Sequence, residues 1–293
     1  MTGSVEVAGV QVSRPDKELI PGVTKEAMAR YYAEVADAML PHLAGRPISM
    51  QRFPDGIEGQ GFYEKKVPGH FPDWVDRVAV DTEDGSQEQV VVSDARTLVY
   101  LADQACITPH AWLSTAEHLE SPDQLVFDLD PSGDDLSVVR RATRLVGDTL
   151  SELGLTTFLK TTGSRGYHVH VPLRPGEDFD SVRGFARDVA ELVAGRHPDL
   201  LTVQQRKDKR GDRVFVDVLR NAYGQTAVPP YAVRARPVAP VSTPIGWDEL
   251  SRVRPDRYTT TSAPRRLGQR ADPWQSMRRH AQSLDRARRA LPD

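Results

Sequence analysis

Leu125-Val-Phe-Asp128-Leu-Asp130-Pro-Ser132-Gly133 is the stretch on which the reading of this sequence turns. An apolar run leads to two acids two positions apart and then to a Pro-Ser-Gly break. That pattern predicts a strand over Leu125–Asp130 closed by a turn. Side chains two apart on a strand share a face, so Asp128 and Asp130 stand side by side. Adjacent carboxylates repel unless a cation or a shared proton lies between them. Hard divalent ions take such oxygen ligands, commonly with substrate phosphates completing the shell. Val214-Phe-Val-Asp217-Val-Leu offers a third acid on another apolar strand. Three strand-borne carboxylates suit two metal ions and in-line phosphoryl transfer.

Other readings compete on the motif alone. Asp-x-Asp before Pro-Ser-Gly also suits a plain turn and helix start. An EF-hand fits the first half of the loop but fails at its twelfth position, which is Val139, and a strand precedes it. An aspartyl-phosphate phosphatase would use Asp128 as nucleophile, although Ser132 stands in an unusual place for one.

Around this stretch the elements mix without strict alternation of strand and helix. Leu125–Asp130, Thr157–Thr162, Tyr167–Pro172 and Val214–Leu219 read as strands, with helices from Asp134 or Asp135 to about Leu153 and over Phe179–Ala194. Upstream, residues 1–23 read as extended and loop-like. A helix capped by Thr24 runs to about Leu43, with Pro41 expected to end or kink it. Strands follow at Ile48–Phe53, Gly61–Lys65, Val78–Asp81 and Gln89–Val92, then a helix from Asp94 to about Gln104. Residues 221–246 are Pro- and Gly-rich and loop-like, and Arg278–Arg289 reads as a surface helix. The expected fold class is α+β, with mixed or antiparallel sheets and packed helices. The expected organisation is one module over 1–293. It comprises a sheet-rich part to about 120, a core over about 121–260, and a basic segment over about 261–293.

Composition excludes several classes. At 293 residues with 39% hydrophobic and 27% charged residues, the chain has ample length for a core. The single cysteine, Cys106, excludes an intramolecular disulfide framework and is too little sulfur for a zinc finger. No apolar run approaches the ~18 residues of a membrane span, and the start Met1-Thr-Gly-Ser-Val-Glu lacks a signal-peptide pattern. A cytoplasmic setting with no membrane partner is the expectation. The net charge of −3 argues against a polyanionic partner, yet it hides a polarised chain. Residues 201–293 hold 19 Lys+Arg and 9 Asp+Glu, leaving 19 basic against 32 acidic residues in 1–200. A local positive field needs only local clustering.

Lys160-Thr-Thr162-Gly163-Ser164-Arg165-Gly166-Tyr-His168 lies between two strands. Its glycines let backbone approach an anion, and Thr162, Ser164, Arg165 and His168 supply polar groups suited to a triphosphate. Arg234 and Arg236 share a face if extended and offer forked donors for phosphate. The cluster Arg206, Lys207, Lys209, Arg210 precedes the Asp217 strand, and Phe62-Tyr63 could stack bases.

Taken in order, these stretches resemble a known family. The carriers include Arg14-Pro-Asp-Lys17, Gly22-Val-Thr-Lys25, Leu40-Pro-His-Leu, Arg52-Phe-Pro-Asp-Gly and Phe62-Tyr63-Glu-Lys. Thr108-Pro-His110, the Asp128 strand, the Lys160 turn and Asp217-Val-Leu-Arg220-Asn complete the set. The chain is similar, from about Val12 to Arg254, to the polymerase domain of bacterial ATP-dependent DNA ligase D, of the archaeo-eukaryotic primase superfamily. The resemblance implies a primase-like fold and template-directed nucleotide addition to a primer 3′-hydroxyl in non-homologous end joining. Ribonucleotides would be preferred, and a 5′-phosphate recognised at gaps or ends. The non-catalytic alternative is a DNA-end-binding module.

The resemblance also implies roles. Asp128, Asp130 and Asp217 would hold two divalent ions, Mn²⁺ by preference and Mg²⁺ as the alternative. His168, Thr162, Ser164, Arg165, Arg234 and Arg236 would hold the nucleotide phosphates, His110 its sugar and Phe62 its base. Gln51 belongs to the same nucleotide set, at a position where the family often has a basic residue. Lys17 and Lys25 would hold the 5′-phosphate, with Arg52, Tyr63, Arg210 and Arg220 as further DNA contacts and Arg210 facing the template. Implied partners are gapped or broken DNA, nucleoside triphosphates, a DNA ligase and a Ku-type end-binding protein, at the bacterial nucleoid. No Lys-x-Asp-Gly ligase motif occurs, so a stand-alone polymerase or a piece of a longer one is expected.

Overall fold

The computed structural model describes residues 3–83 and 85–292, so Met1 and Thr2 of the start read above lie outside it. In chain order the elements are β1 (Ser4–Val7), β2 (Val10–Ser13), β3 (Glu18–Ile20), β4 (Val23–Thr24), α1 (Lys25–Leu43), β5 (Pro47–Arg52), β6 (Phe62–Glu64), β7 (Arg77–Thr82), β8 (Gly85–Val91), α2 (Ala95–Asp103) and β9 (Cys106–Trp112). There follow β10 (Gln124–Pro131), α3 (Leu136–Glu152), β11 (Phe158–Thr161), β12 (Tyr167–Pro172), α4 (Phe179–Arg196), β13 (Leu201–Thr202) and β14 (Val214–Asp217). Short elements close the chain: β15 (Thr226–Ala227), β16 (Pro244–Ile245), α5 (Ser262–Gln269) and α6 (Asp285–Ala290). The fold is α+β.

The chain divides into two compact units. Unit 1 takes 1–119, 226–243 and 257–272; unit 2 takes 120–225, 244–256 and 273–293. A linear division with a core running to about 260 does not describe these contacts beyond Gln225. The reason is that β15 pairs with β9, and the Tyr31 hydroxyl donates to the Tyr231 carbonyl at 2.7 Å.

In unit 1 an antiparallel sheet runs β15-β9-β5-β8-β7, with β6 also on β5. α1 begins at Lys25 because the Thr24 side chain accepts from the Ala27 amide, and its buried stripe is Met28, Tyr32, Val35, Met39 and Leu43. The helix continues through Pro41 and ends two residues later at Leu43; Pro41 has no N–H to give the Asp37 carbonyl, so one helical bond is missing just before the end.

Unit 2 carries the sheet β13-β14-β10-β12-β11-β16, antiparallel except for the parallel β13–β14 pair. α3 is capped by the Asp135 carboxylate on the Ser137 amide, and α4 by Asp178 on Ser181. Both helices pack on β10. Leu125, Phe127 and Leu129 are fully buried, whereas Asp128 and Asp130 are half-buried on the alternate face.

Three local expectations need correction. The strand expected over Val214–Leu219 stops at Asp217, because the Leu219 amide turns back to Asp217 Oδ1 at 2.8 Å and starts a 3-10 turn. The helix expected over Arg278–Arg289 is a 3-10 turn at Met277–His280 followed by α6. Between them Gln282 is extended, its backbone bonded to Pro172 and Arg174 and its amide to Thr156. Residues 221–246 are not all loop, since β15 and β16 each add two residues to a sheet edge.

Candidate active site

Four strands of unit 2 place one row of side chains across the sheet. Asp217 on β14 is the partner of Asp128 on β10, Asp128 of His168 on β12, and His168 of Lys160 on β11. Directly opposed residues of antiparallel strands present their side chains to the same face. The row therefore reads acid, acid, imidazole, ammonium. His168 Nε2 lies 3.3 Å from Asp128 Oδ2. Asp130, one step further along β10, is opposite Phe215.

Burial and charge set the protonation states. His168 is 3% exposed. Burial, and then the Lys160 charge, push its pKa down to about 4 against the pull of Asp128, so the ring is neutral at pH 7. Burial alone would raise the Asp128 carboxyl; the His168 ring, and then Arg220 and Lys160, outweigh it and hold the group low. Asp217 is raised, chiefly by burial and further by the Asp128 and Asp130 charges, although the Leu219 amide opposes this.

This donor set was tested against the divalent ions that the acids suggest. Two opposed carboxylates, one with a pKa raised by burial and by the neighbouring acids, are what a cation would neutralise. His168 Nδ1 is a buried polar atom with no hydrogen-bond partner among the described residues. Asp130 is engaged instead: Arg210 Nη1 donates to its Oδ2 at 2.9 Å, and Arg165 Nη2 is 3.8 Å from its Oδ1. Accordingly no three acids, histidines or cysteines among the described residues are grouped as a ready metal cage. The donors present fit hard cations, with Asp128 and Asp217 as the opposed pair and Asp130 shared with arginine.

The turn between β11 and β12 is shaped for close approach. A Cβ at Gly166 would stand 2.0 Å from the Leu129 carbonyl oxygen, so only glycine lets the turn lie against β10. Thr162 Oγ1 donates to the Gly166 carbonyl at 2.9 Å and accepts from the Ser164 amide at 3.2 Å. Its hydroxyl thus holds the turn. Arg165 Nη2 donates to the Pro131 carbonyl at 2.9 Å. A cavity of about 240 Å³ opens here, lined by Pro131, Ser164, Arg165 and Arg254 among others. The larger cavity of about 470 Å³, along α4, is lined by none of the residues singled out in the sequence.

Arg210 was expected to face a template, but it is 7% exposed. Its guanidinium stacks on Phe215 and donates to the Gln204 and Gln205 carbonyls as well as to Asp130. Arg220 is exposed on the 3-10 turn after β14.

The remaining residues lie in unit 1. On its sheet Gln51 is opposite Tyr63, and Ser49 opposite His110. His110 Nε2 lies 3.4 Å from Gln51 Oε1, and the Tyr63 ring meets His110 edge-on at 5.4 Å. Phe62 and Tyr63 are exposed. Arg52 is held by Glu64 and donates to the Gln104 carbonyl, so it is a partly buried strut beneath Phe62. Lys25 is also turned inward: its Nζ bonds Asp103 at 2.7 Å and Ser13 at 3.0 Å. Lys17 reaches the exposed Asp55 at 3.2 Å. Burial lowers the Lys25 pKa, Asp103 opposes this, and Arg14 and Lys17 lower it further, so three cations gather there. Arg234 and Arg236 stand on the loop between Val233 and Val241, with Arg236 exposed.

Sequence reading missed Lys160 and Asp103. Lys160 is fully buried in the row with Asp217, Asp128 and His168, and its place two residues before Thr162 on a strand was the available signal. Asp103 lies 78 residues from Lys25, and no local pattern links them.

Comparison with known proteins gives the family of the chain. Residues 24–274 match the family model described as LigD, primase-polymerase domain. The chain is 35% identical over 280 residues to the multifunctional non-homologous end joining protein LigD of Pseudomonas aeruginosa, covering 91% of this chain and 32% of that protein. It is 34% identical over 259 residues to LigD of Mycobacterium tuberculosis, covering 85% and 34%. Against the bifunctional LigD of Bacillus subtilis it is 30% identical over 262 residues, covering 88% and 42%. The chain thus spans about a third of the first two relatives. The polymerase domain of Mycobacterium tuberculosis ligase D, solved in complex with DNA, matches with a TM-score of 0.86 at 30% identity, covering 93% of this chain and 99% of that one. The chain belongs to the LigD primase-polymerase domain family, a family of nucleotidyltransferase polymerases.

Proposed function

We propose that the chain is a template-directed polymerase that adds nucleotides, ribonucleotides by preference, to a primer 3′-hydroxyl at gaps or ends with a 5′-phosphate in end-joining repair. The observation that carries this reading is the row Asp217, Asp128, His168, Lys160 beside the glycine turn at 163–166. Asp128, Asp217 and Asp130 would hold divalent ions, Mn²⁺ by preference, whose chemistry is to activate the hydroxyl and stabilise charge on the transferring phosphorus and leaving oxygens.

The chain's own residues do the rest. Burial, and then the Lys160 charge, hold His168 neutral, so the ring approaches Asp128 as a dipole and Nδ1 is left for a substrate to satisfy. Ser164 and Arg165 stand at the mouth of the turn as donors for phosphate oxygens. In unit 1, exposed Phe62 and Tyr63 offer faces for a base, His110 polar contact for a sugar, and Arg234 and Arg236 forked donors for phosphates. The cations Lys17, Lys25 and Arg14 favour a terminal phosphate. Gapped DNA, nucleoside triphosphates, a DNA ligase and a Ku-type protein are the proposed partners. Among the described residues no helix is long and apolar enough to cross a membrane.

Extension of a gapped duplex, with and without a 5′-phosphate, with NTP against dNTP and Mn²⁺ against Mg²⁺, tests each part. The expected result is greatest extension with NTP, Mn²⁺ and a 5′-phosphate, lost in Asp128→Ala. Binding of the phosphorylated gap without any incorporation would replace this reading with a non-catalytic end-binding module.

A further inference from the structure

The family match ends at Trp274, and the chain after it holds five arginines, at 278, 279, 286, 288 and 289, against the acids Asp285 and Asp293. This segment is firmly anchored on unit 2. Trp274 Nε1 donates to the Leu159 carbonyl at 2.9 Å, and its ring meets His170 edge-on at 4.7 Å. His170 is two residues along β12 from His168, so the root of the segment lies on a strand of the catalytic row. Gln282 bonds Thr156 at both ends of its amide, Leu284 and Ala287 are buried, and Arg288 is clamped by Glu177 and Ser181.

The anchoring uses apolar side chains, an amide and one arginine. The other four, Arg278, Arg279, Arg286 and Arg289, are exposed and make no ion pair or side-chain hydrogen bond among the described residues. Asp285, beside them, is taken by the Ser283 hydroxyl at 2.7 Å. Elsewhere some exposed arginines have an acid partner, among them Arg30 with Glu26, Arg196 with Glu152, Arg206 with Asp208, Arg252 with Asp248 and Arg254 with Asp256, while others such as Arg141 and Arg187 stand singly without one among the described residues. A rigid base that presents two pairs of arginines without acids, one pair on each side of Gln282, concentrates positive charge in one short stretch.

We propose that residues 275–290 form an accessory contact for the phosphate backbone of nucleic acid, independent of its sequence, through Arg278, Arg279, Arg286 and Arg289. The proposal rests on the reading of the chain as a DNA-binding enzyme. Its chemistry is that of guanidinium on phosphate with release of condensed counterions, so its signature is the salt dependence of binding.

The test compares the wild-type chain with R278Q/R279Q/R286Q/R289Q and with the four Arg→Lys changes together. Binding to an unlabelled-sequence series of DNA duplexes is read by anisotropy across a salt series, with melting temperature and nucleotide addition at saturating DNA alongside. The glutamine variant is expected to keep its melting temperature and its rate at saturating DNA. The slope of log affinity against log salt should fall by roughly 3.6 for four contacts, at about 0.9 per phosphate contact. The lysine variant should keep the wild-type slope. An unchanged slope in the glutamine variant overturns the proposal, also if that variant loses a protein partner instead. Equal loss in both variants overturns it too, because packing rather than charge would then be the cause. A wild-type chain that shows the expected slope difference but adds no nucleotide would sink the polymerase reading and leave this surface standing.

Discussion

His168 Nε2 stands 3.3 Å from Asp128 Oδ2 while the buried Lys160 ammonium flanks the same ring from the next strand. The folded His168 pKa, about 4, is below the ordinary value of about 6.5. Between those values the unfolded chain takes up a proton that the folded chain refuses. Stability from this group is therefore full above about pH 6.5 and is lost as pH falls toward 4. Melting temperatures of wild type and His168→Gln across that window should show a shallower acid loss in the variant. Parallel curves would mean that His168 is not held neutral by its surroundings.

Asp217 faces Asp128 across the β10–β14 pair, and like charges directly opposite each other destabilise a sheet. Asp217→Asn keeps the acceptor for the Leu219 amide and removes the repulsion. In chelator it should be more stable than wild type, by up to about 1 kcal/mol, and it should not extend a primer. A drop in denaturation midpoint in chelator would contradict the repulsion.

Lys25 and Asp103 form an ion pair whose side chains are 3% and 9% exposed. Removing one member strands the other, so Lys25→Met should cost roughly 3–5 kcal/mol by chemical denaturation. Lys17, whose partner Asp55 is exposed, should cost less than about 1 kcal/mol when changed to Ala. Lys17→Ala is thus the cleaner probe of end recognition. It should reduce the preference for a 5′-phosphate at a gap in an otherwise stable protein, and an unchanged preference would place that recognition elsewhere.

Val238 is 72% exposed with φ of +62°, in the loop that carries Arg234 and Arg236. A β-branched residue in the left-handed region is strained by about 1–2 kcal/mol, and glycine gives back about 0.5–1 kcal/mol in chain entropy. Val238→Gly should therefore gain up to about 1 kcal/mol in denaturant. A loss would show that the isopropyl group makes compensating contacts.

The parts of the fold that could be read in advance are those with local causes. Asp128 and Asp130 announce their face by alternation, and Thr24, Asp94 and Asp135 each cap the helix that follows. β9 escaped because all seven of its residues are buried, which erases the period of two, and because Pro109 sits within it. In the site, the carboxylates, the glycine turn and His168 were legible as motifs. What the motifs could not show is which way a cation turns. Arg210 lies next to lysines in a sequence that reads as a surface cluster, yet its guanidinium has Phe215 to stack on and three oxygens to bond. Arg52 and Lys25 likewise find Glu64 and Asp103 only once the sheet and helices are assembled.

The interleaving of the two units bears on how the protein is made. Unit 1 draws on residues up to 272, so a ribosome must have made all of them before that unit can close. Until residues 226–231 are made, β9 has no β15 beside it, and the Tyr31 hydroxyl has no Tyr231 carbonyl to meet. Domains assembled from one continuous stretch can fold in turn as they emerge at about 5–20 residues per second. Here the first 119 residues must wait, with core surface such as Tyr31 and Ile107 open to chaperones or to proteases. A translation stop anywhere between 120 and 272 would release neither unit whole.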